Sequence, residues 1–285
     1  MNLLNNLTLV KKIIFQISKP ILNPILSLKN IHKGESCYIF GDGISIKWFD
    51  LKEFTNKPVF SLNKIAFHKQ SNFLNLKYSL FIEPFYFYPY FWDRDKATVE
   101  ETGKKFFKNN IQNKFRDIIG QQNNTTFFIN LSNYPVLRNP KINYLFQFIH
   151  DDESNFLKEC YQNNENIFKG SLRSAISLAI YMGFDEIFLV GCDYTHQITR
   201  SHHWFEKGYG KIKKQPKYQE NFLNIAKKYA KLTTITLEGS GTFLKSKTYK
   251  EFTGKEPSFK ENYDLMESSM LKTLSKDPWF KDKIF

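Results

Sequence analysis

The chain has 285 residues, 41% of them hydrophobic, enough for one large domain with a sizeable core and too apolar for a disordered chain. A net charge of +13 favours an anionic partner, but no arginine-rich arm, zinc knuckle or RNA-binding aromatic signature accompanies it, which sets nucleic acid aside. Three widely spaced cysteines (Cys37, Cys160 and Cys192) argue against a disulfide frame or a zinc site and for a reducing, cytoplasmic setting.

Residues 1–32 read as a basic amphipathic arm. Leu3, Leu4, Leu7, Val10, Ile13, Ile14 and Ile17 recur at helical spacing, interrupted by Lys11, Lys12 and Lys19. The lysines break every window long enough to span a bilayer, and no small-residue cleavage site follows, so neither a transmembrane helix nor a secretory signal is expected. Two readings remain. Residues 1–30 lie on the inner face of an anionic membrane, or they pack on the domain or on a second subunit of a homo-oligomer. Pro20 and Pro24 are expected to break the segment and form a hinge.

Residues 33–250 read as an α/β, Rossmann-like domain with a mostly parallel sheet flanked by helices. Cys37-Tyr38-Ile39-Phe40 is a short apolar strand running into the tight turn Gly41-Asp42-Gly43. Glycine there would let backbone approach a phosphate, while Asp42 repels phosphate unless it binds ribose or base. A second strand, Pro58 to Asn63, and a third, Tyr78 to Pro84, end on Asn63 and Glu83. Polar strand ends at Asp42, Asn63 and Glu83 would converge on one rim of a parallel sheet. Phe85 to Trp92 is almost wholly aromatic and reads as core or lid packing before a stacking platform. A charged helix over residues 96–120 and a strand over residues 125–131 follow, then a helix turn or short strand over residues 144–150 and a polar surface segment over residues 151–166.

Gly170-Ser171 opens the most informative stretch, because it frees a helix N-terminus and offers amides and a hydroxyl to an anion. Leu172, Ala175, Ile176, Ala179 and Ile180 carry the helix to Gly183. Ile187-Phe188-Leu189-Val190 is a strand buried on both faces, ending in Gly191-Cys192-Asp193-Tyr194 where an open α/β sheet holds its ligand crevice. A mobile lid is expected over residues 194–216, with His202 and His203 as candidate bases. A metal cluster of His196, His202 and His203 has no established ligand spacing. His68 and His150 read as surface or capping residues. An amphipathic helix over residues 218–231, a strand over residues 233–237 and a turn at Gly239-Ser240-Gly241-Thr242 complete the domain. The tail, residues 251–285, is expected to be only partly ordered.

Three stretches carry a resemblance: GDGISIKWFDL, GSLRSAISLAIYMGFDEIFLVGCDYTH, and ENFLNIAKKYAKL with TTITLEGSGTFL. Together, from Lys33 to Leu244 with long divergent gaps, they resemble the bacterial lipooligosaccharide sialyltransferases (glycosyltransferase family 42) and related α/β proteins of polysaccharide loci. The resemblance implies a single-domain, GT-A-like sialyltransferase variant that uses a CMP-sugar donor, needs no metal or other cofactor, and acts on a surface glycan. It places Ser171 on the family's donor-contacting serine, with Asp42 and Asn63 facing the nucleotide and Glu83 near another donor-contacting position. It makes His202 or His203 the base, with Lys207, Tyr209 and Lys211 near the leaving CMP. Asp42 and Glu83 are acidic where the family has asparagine, and Thr195 replaces a tyrosine, departures that bear on the donor rather than the fold. Two other classes compete: a Mg²⁺- and ATP-dependent pyrophosphokinase-like enzyme, against which stands the lack of a P-loop, and a non-catalytic nucleotide- or glycan-binding protein.

Overall fold

The computed structural model describes residues 3–82, 87, 101–146, 170–213, 220–277 and 280–285. Glu83, Cys160, His150, the surface segment over residues 151–166 and all of the aromatic run except Phe87 lie outside the described residues.

Eight strands form one sheet: β1 (Ser36–Phe40), β2 (Val59–Leu62), β3 (Leu76–Phe81), β4 (Thr126–Asn130), β5 (Ile142–Leu145), β6 (Glu186–Val190), β9 (Lys231–Thr236) and β10 (Lys245–Thr248). Their order is β10-β9-β6-β1-β2-β3-β4-β5, and every pairing is parallel. The chain steps outward from β1 to β5, then returns to β6 on the other side of β1. The order therefore reverses between β1 and β6, and the crevice of such a sheet opens beyond the carboxyl ends of those two strands. A separate hairpin, β7 (Thr199–Arg200) with β8 (Ile212–Lys213), belongs to the loop after β6.

Apolar residues on both faces of the central strands dictate this architecture. Cys37, Ile39, Ile187 and Leu189 face one core layer, while Tyr38, Phe40, Phe188 and Val190 face the other. Helix α3 (Ser171–Tyr181) covers the first face with Ala175, Ile176, Leu178 and Ala179, joined by Phe222 and Leu223 of α4 (Glu220–Ala226). Gly183, at φ +89°, turns the chain from α3 into β6. Helix α2 (Glu101–Gln121) covers the second face with Ile111, Phe115 and Ile119, and Tyr249 of α5 (Tyr249–Thr253) joins it.

Three expectations need correction, and one strand goes unforeseen. Past Thr253 the chain folds into α6 (Asn262–Leu265), α7 (Ser268–Leu274) and α8 (Lys281–Ile284), which bury Leu265, Met270, Leu271, Leu274 and Ile284. Helices of one or two turns are too short to show a period, and their stability comes from the core they join. Strand β10 reads Lys-Ser-Lys-Thr, with no apolar residue to betray it, and is set by pairing with β9. Pro20 sits inside the last turn of α1 (Leu3–Leu22) rather than breaking it. His68 is buried at 2% exposure rather than at the surface, and it does cap, its Nδ1 accepting from Gln70 N at 3.0 Å.

Helix α1 runs along the β5 edge, where Phe15 meets Phe146 edge-on at 5.4 Å and Leu22 is buried. Its other face leaves Val10, Ile13, Ile14 and Ile17 in solvent, Ile17 at 73%. Among the described residues no helix is long and apolar enough to cross a membrane.

Candidate active site

The β1 turn and the β6 turn meet at the switch point. Gly41 N donates to Val190 O and Gly43 N to Gly191 O, both at 2.8 Å. A Cβ on Gly43 would stand 2.5 Å from Asp193 Cγ, and one on Gly41 would stand 2.6 Å from Gly191 O. These glycines are therefore required by the approach of two loops, a reason separate from any phosphate. Asp193 is buried, and its carboxylate accepts from Ser45 N at 3.0 Å and from the Ser45 hydroxyl. Behind it Thr195 Oγ1 lies 2.8 Å from Thr234 Oγ1, and His196 Nε2 lies 3.1 Å from the same oxygen. Burial holds the His196 imidazole below its usual range, opposed by Asp193. Tyr194, on this turn, is 60% exposed.

Asp42 connects three loops. Its carboxylate accepts from Lys64 N at 3.2 Å and from the Trp204 indole at 3.3 Å, and its carbonyl accepts from Trp204 N at 3.2 Å. Burial pushes the Asp42 carboxyl up, and the charges of Lys64 and His203 only partly oppose it. Asn63, next to Lys64, takes the left-handed φ of +46° that asparagine tolerates. The Ser171 hydroxyl donates to Asn63 Oδ1 at 3.3 Å, and Gly170 at φ +87° sets the start of α3. Asp42, Asn63, Gly170 and Ser171 thus share one rim, with the N-terminal amides of an 11-residue helix presented there.

The loop after β6 closes over this rim. Between β7 and β8 the backbone of His203 pairs with Gly43, and Trp204, Phe205 and Glu206 are buried beneath. His202 Nδ1 lies 2.5 Å from Glu206 Oε2, and His203 Nδ1 lies 2.6 Å from Glu206 Oε1. Burial alone would push the Glu206 carboxyl up, but the hydrogen bonds from His203 and His202 outweigh it and hold the group below its usual range. The His203 ring stacks on Phe205 at 4.9 Å. His202 has φ +81°, a conformation that L residues rarely adopt.

Glu206 is a site residue that the sequence alone does not single out. Its spacing, three and four residues after His203 and His202, was the available signal. Nothing in the sequence marks Trp204 and Phe205 of the expected mobile lid as buried.

No family model matches the sequence, and no curated protein does. Among solved structures, the chain is similar to the sialyltransferase CstII from Campylobacter jejuni in complex with a substrate analogue, cytidine-5′-monophosphate. The identity there is 15%, covering 86% of this chain and 99% of that chain, with a TM-score of 0.44. It is also similar to a mutant described as an alpha-2,3/8-sialyltransferase CstII, at 15% identity, 84% and 99% coverage and a TM-score of 0.38. A second CstII variant, in complex with CMP, gives 14%, 85% and 99%, and 0.39. The fold assignment rests on the strand order itself.

Of the remaining lid residues named from the sequence, Lys207 and Tyr209 face the C-terminal segment. Lys207 Nζ donates to Phe285 O and Lys207 N to Lys283 O. Tyr209 stacks on Phe259 at 4.1 Å, and Lys211 is exposed. Buried Lys47 donates to Gly208 O at 2.8 Å and to Glu261 at 2.6 Å, while Glu261 also accepts from Gly208 N at 3.0 Å. Asn262 Nδ2 donates to Phe205 O at 3.0 Å and to Ile284 O at 2.9 Å. The lid is therefore docked on two sides, by the β1 turn and by the segment after α5.

Chemically the rim combines a helix start, a carboxylate, an amide and two imidazoles on one carboxylate. Among the described residues no three His, Cys, Asp or Glu side chains converge as metal ligands would. Proton transfer by an imidazole is the chemistry that this set of groups supplies directly.

Proposed function

We propose that the protein is a glycosyltransferase that moves a sialic-acid-type sugar from a CMP-sugar donor to a surface glycan, with a lid histidine as general base. The observation that carries this reading is the pairing of His203 with Gly43, which sets a histidine against the turn that resembles the family's donor turn. Ser171 and Asn63, on the other side of the same rim, occupy the positions that the resemblance gives to donor contacts. In the reaction an acceptor hydroxyl attacks the anomeric carbon, its proton passes to the imidazole, and the bond to the phosphate oxygen breaks with its electron pair leaving on CMP. His203 is the preferred base because its backbone pairs with Gly43 of the β1 turn, while His202 shares its carboxylate partner.

The acceptor would be presented at an anionic membrane surface. Lys11, Lys12, Lys19, Lys29 and Lys33 precede the first acidic residue, Glu35, and α1 exposes an apolar stripe beside them.

Calorimetric titration with CMP, UMP, GDP and ATP, in EDTA and in Mg²⁺, tests the reading. Binding of CMP in EDTA supports it. Binding of ATP alone, and only with Mg²⁺, would favour the pyrophosphokinase-like alternative. No nucleotide binding would favour the non-catalytic one.

A further inference from the structure

We infer that Glu206 is the positioning residue of the lid: it accepts Nδ1–H of both His202 and His203 and leaves both Nε2 lone pairs as the proton acceptors. The catalytic meaning rests on the function proposed above, whereas the tautomer assignment does not.

The argument begins with burial. The Glu206 side chain is 1% exposed, and a carboxylate taken out of water is costly unless its oxygens are hydrogen-bonded. Here each oxygen has its own imidazole, Oε2 with His202 and Oε1 with His203. The carboxyl group is held below its usual range, so at neutral pH it is ionised and can only accept. Both Nδ1 atoms must then be donors. A neutral imidazole that carries its proton on Nδ1 has its lone pair on Nε2.

The ring positions suit that role. The His202 and His203 side chains keep 30% and 40% of their surface exposed while their Nδ1 edges face the buried carboxylate. Phe205 fixes the His203 plane from below and Phe280 meets it edge-on at 5.9 Å. His202 takes a left-handed backbone, φ +81°, at the point where two successive histidines bring Nδ1 to one carboxylate.

A purely structural stitch would also hold the loop. Replacing Glu206 by Gln separates the two roles, because glutamine offers one acceptor oxygen and one donor nitrogen in the same volume. One histidine keeps Nδ1–H. The other must accept from the amide, moving its own proton to Nε2.

The experiment is long-range ¹H–¹⁵N correlation on the full chain, ¹⁵N-labelled in histidine, at a pH well above the histidine range. His202→Gln and His203→Gln spectra assign the two signals. The wild type is expected to show both rings as Nδ1–H, and Glu206→Gln is expected to switch one ring to Nε2–H. Where the switched ring is His203, kcat for transfer in the same variant falls by about 10²–10⁴-fold with CMP affinity unchanged; where it is His202, kcat stays near wild type. A wild-type spectrum with either ring protonated on Nε2 overturns the inference, even if the variant does not fold. Unchanged tautomers in a folded Glu206→Gln protein overturn it too. A wild type with the expected tautomers and no transferase activity would instead count against the proposed function.

Discussion

The carboxylate of Asp193 binds Ser45, accepting from its amide at 3.0 Å and from its hydroxyl, and so ties the β6 turn to the β1 turn. An aspartate at the end of a central strand looks like a ligand contact in the sequence, yet this one is occupied within the fold. Asp193→Ala is expected to cost about 1.5–3 kcal/mol of folding stability, the range for a hydrogen bond to a charged group. Urea unfolding should show the loss, while the CMP affinity of the folded protein stays close to wild type.

The glycines of the β1 turn give a sharper contrast. A methyl at Gly43 meets Asp193 and the Gly191 carbonyl, whereas one at Gly120 in α2 meets nothing within 4 Å. Gly43→Ala should therefore destabilise by about 1–3 kcal/mol, and Gly120→Ala should stabilise by roughly 0.5–1 kcal/mol. Denaturant midpoints of the two variants moving in the same direction would contradict this account of the turn.

His68 makes stability depend on pH. Burial beside Trp204 lowers its pKa from 6.5 to about 3, and the charges of Lys260 and Lys69 help, with Asp50 opposing them. Between those values the unfolded chain binds a proton that the folded chain refuses, so stability falls as pH drops from 6.5 towards 3. The slope is at most about 1.4 kcal/mol per pH unit. His68→Asn keeps an acceptor for Gln70 N and removes the titration. Unfolding free energies at two pH values in this window should differ less in the variant than in the wild type. His196, lowered by burial in the same direction, leaves a parallel slope in both proteins.

How far the sequence could be read follows from where each signal originates. The β1 turn, α3 and β6 were legible because their apolar residues are continuous or recur at one period, and their ends carry glycine. Strand β10 and helices α6 to α8 were not, since pairing or distant packing sets them. The docking of the lid is invisible in the sequence because Trp204 and Phe205 are buried by contacts with Asp42 and the C-terminal segment, far away in sequence. The histidines stood out, but their partner did not, because Glu206 is an ordinary surface residue type until the fold buries it. The turn Gly41-Asp42-Gly43 is visible in the sequence, whereas the reason for its glycines, one loop against another, is a long-range contact.

The exposed stripe of α1 predicts a lipid preference. Ile13→Ser with Ile17→Ser should weaken co-sedimentation with phosphatidylglycerol and phosphatidylcholine vesicles alike and keep the preference for the anionic lipid, because the lysines remain but the apolar face is gone. Equal binding of wild type and variant to anionic vesicles would remove α1 as the contact. A wild type that dimerises through this face would give the stripe a different occupant.

The most direct test of the account is turnover of a CMP-sialic acid with a lipooligosaccharide or capsule-glycan acceptor by wild type and His203→Ala, with CMP affinity measured alongside. The account predicts wild-type transfer in EDTA, a loss of about 10²–10⁴-fold in the variant, and the same CMP affinity in both. Equal turnover by the two proteins would contradict it.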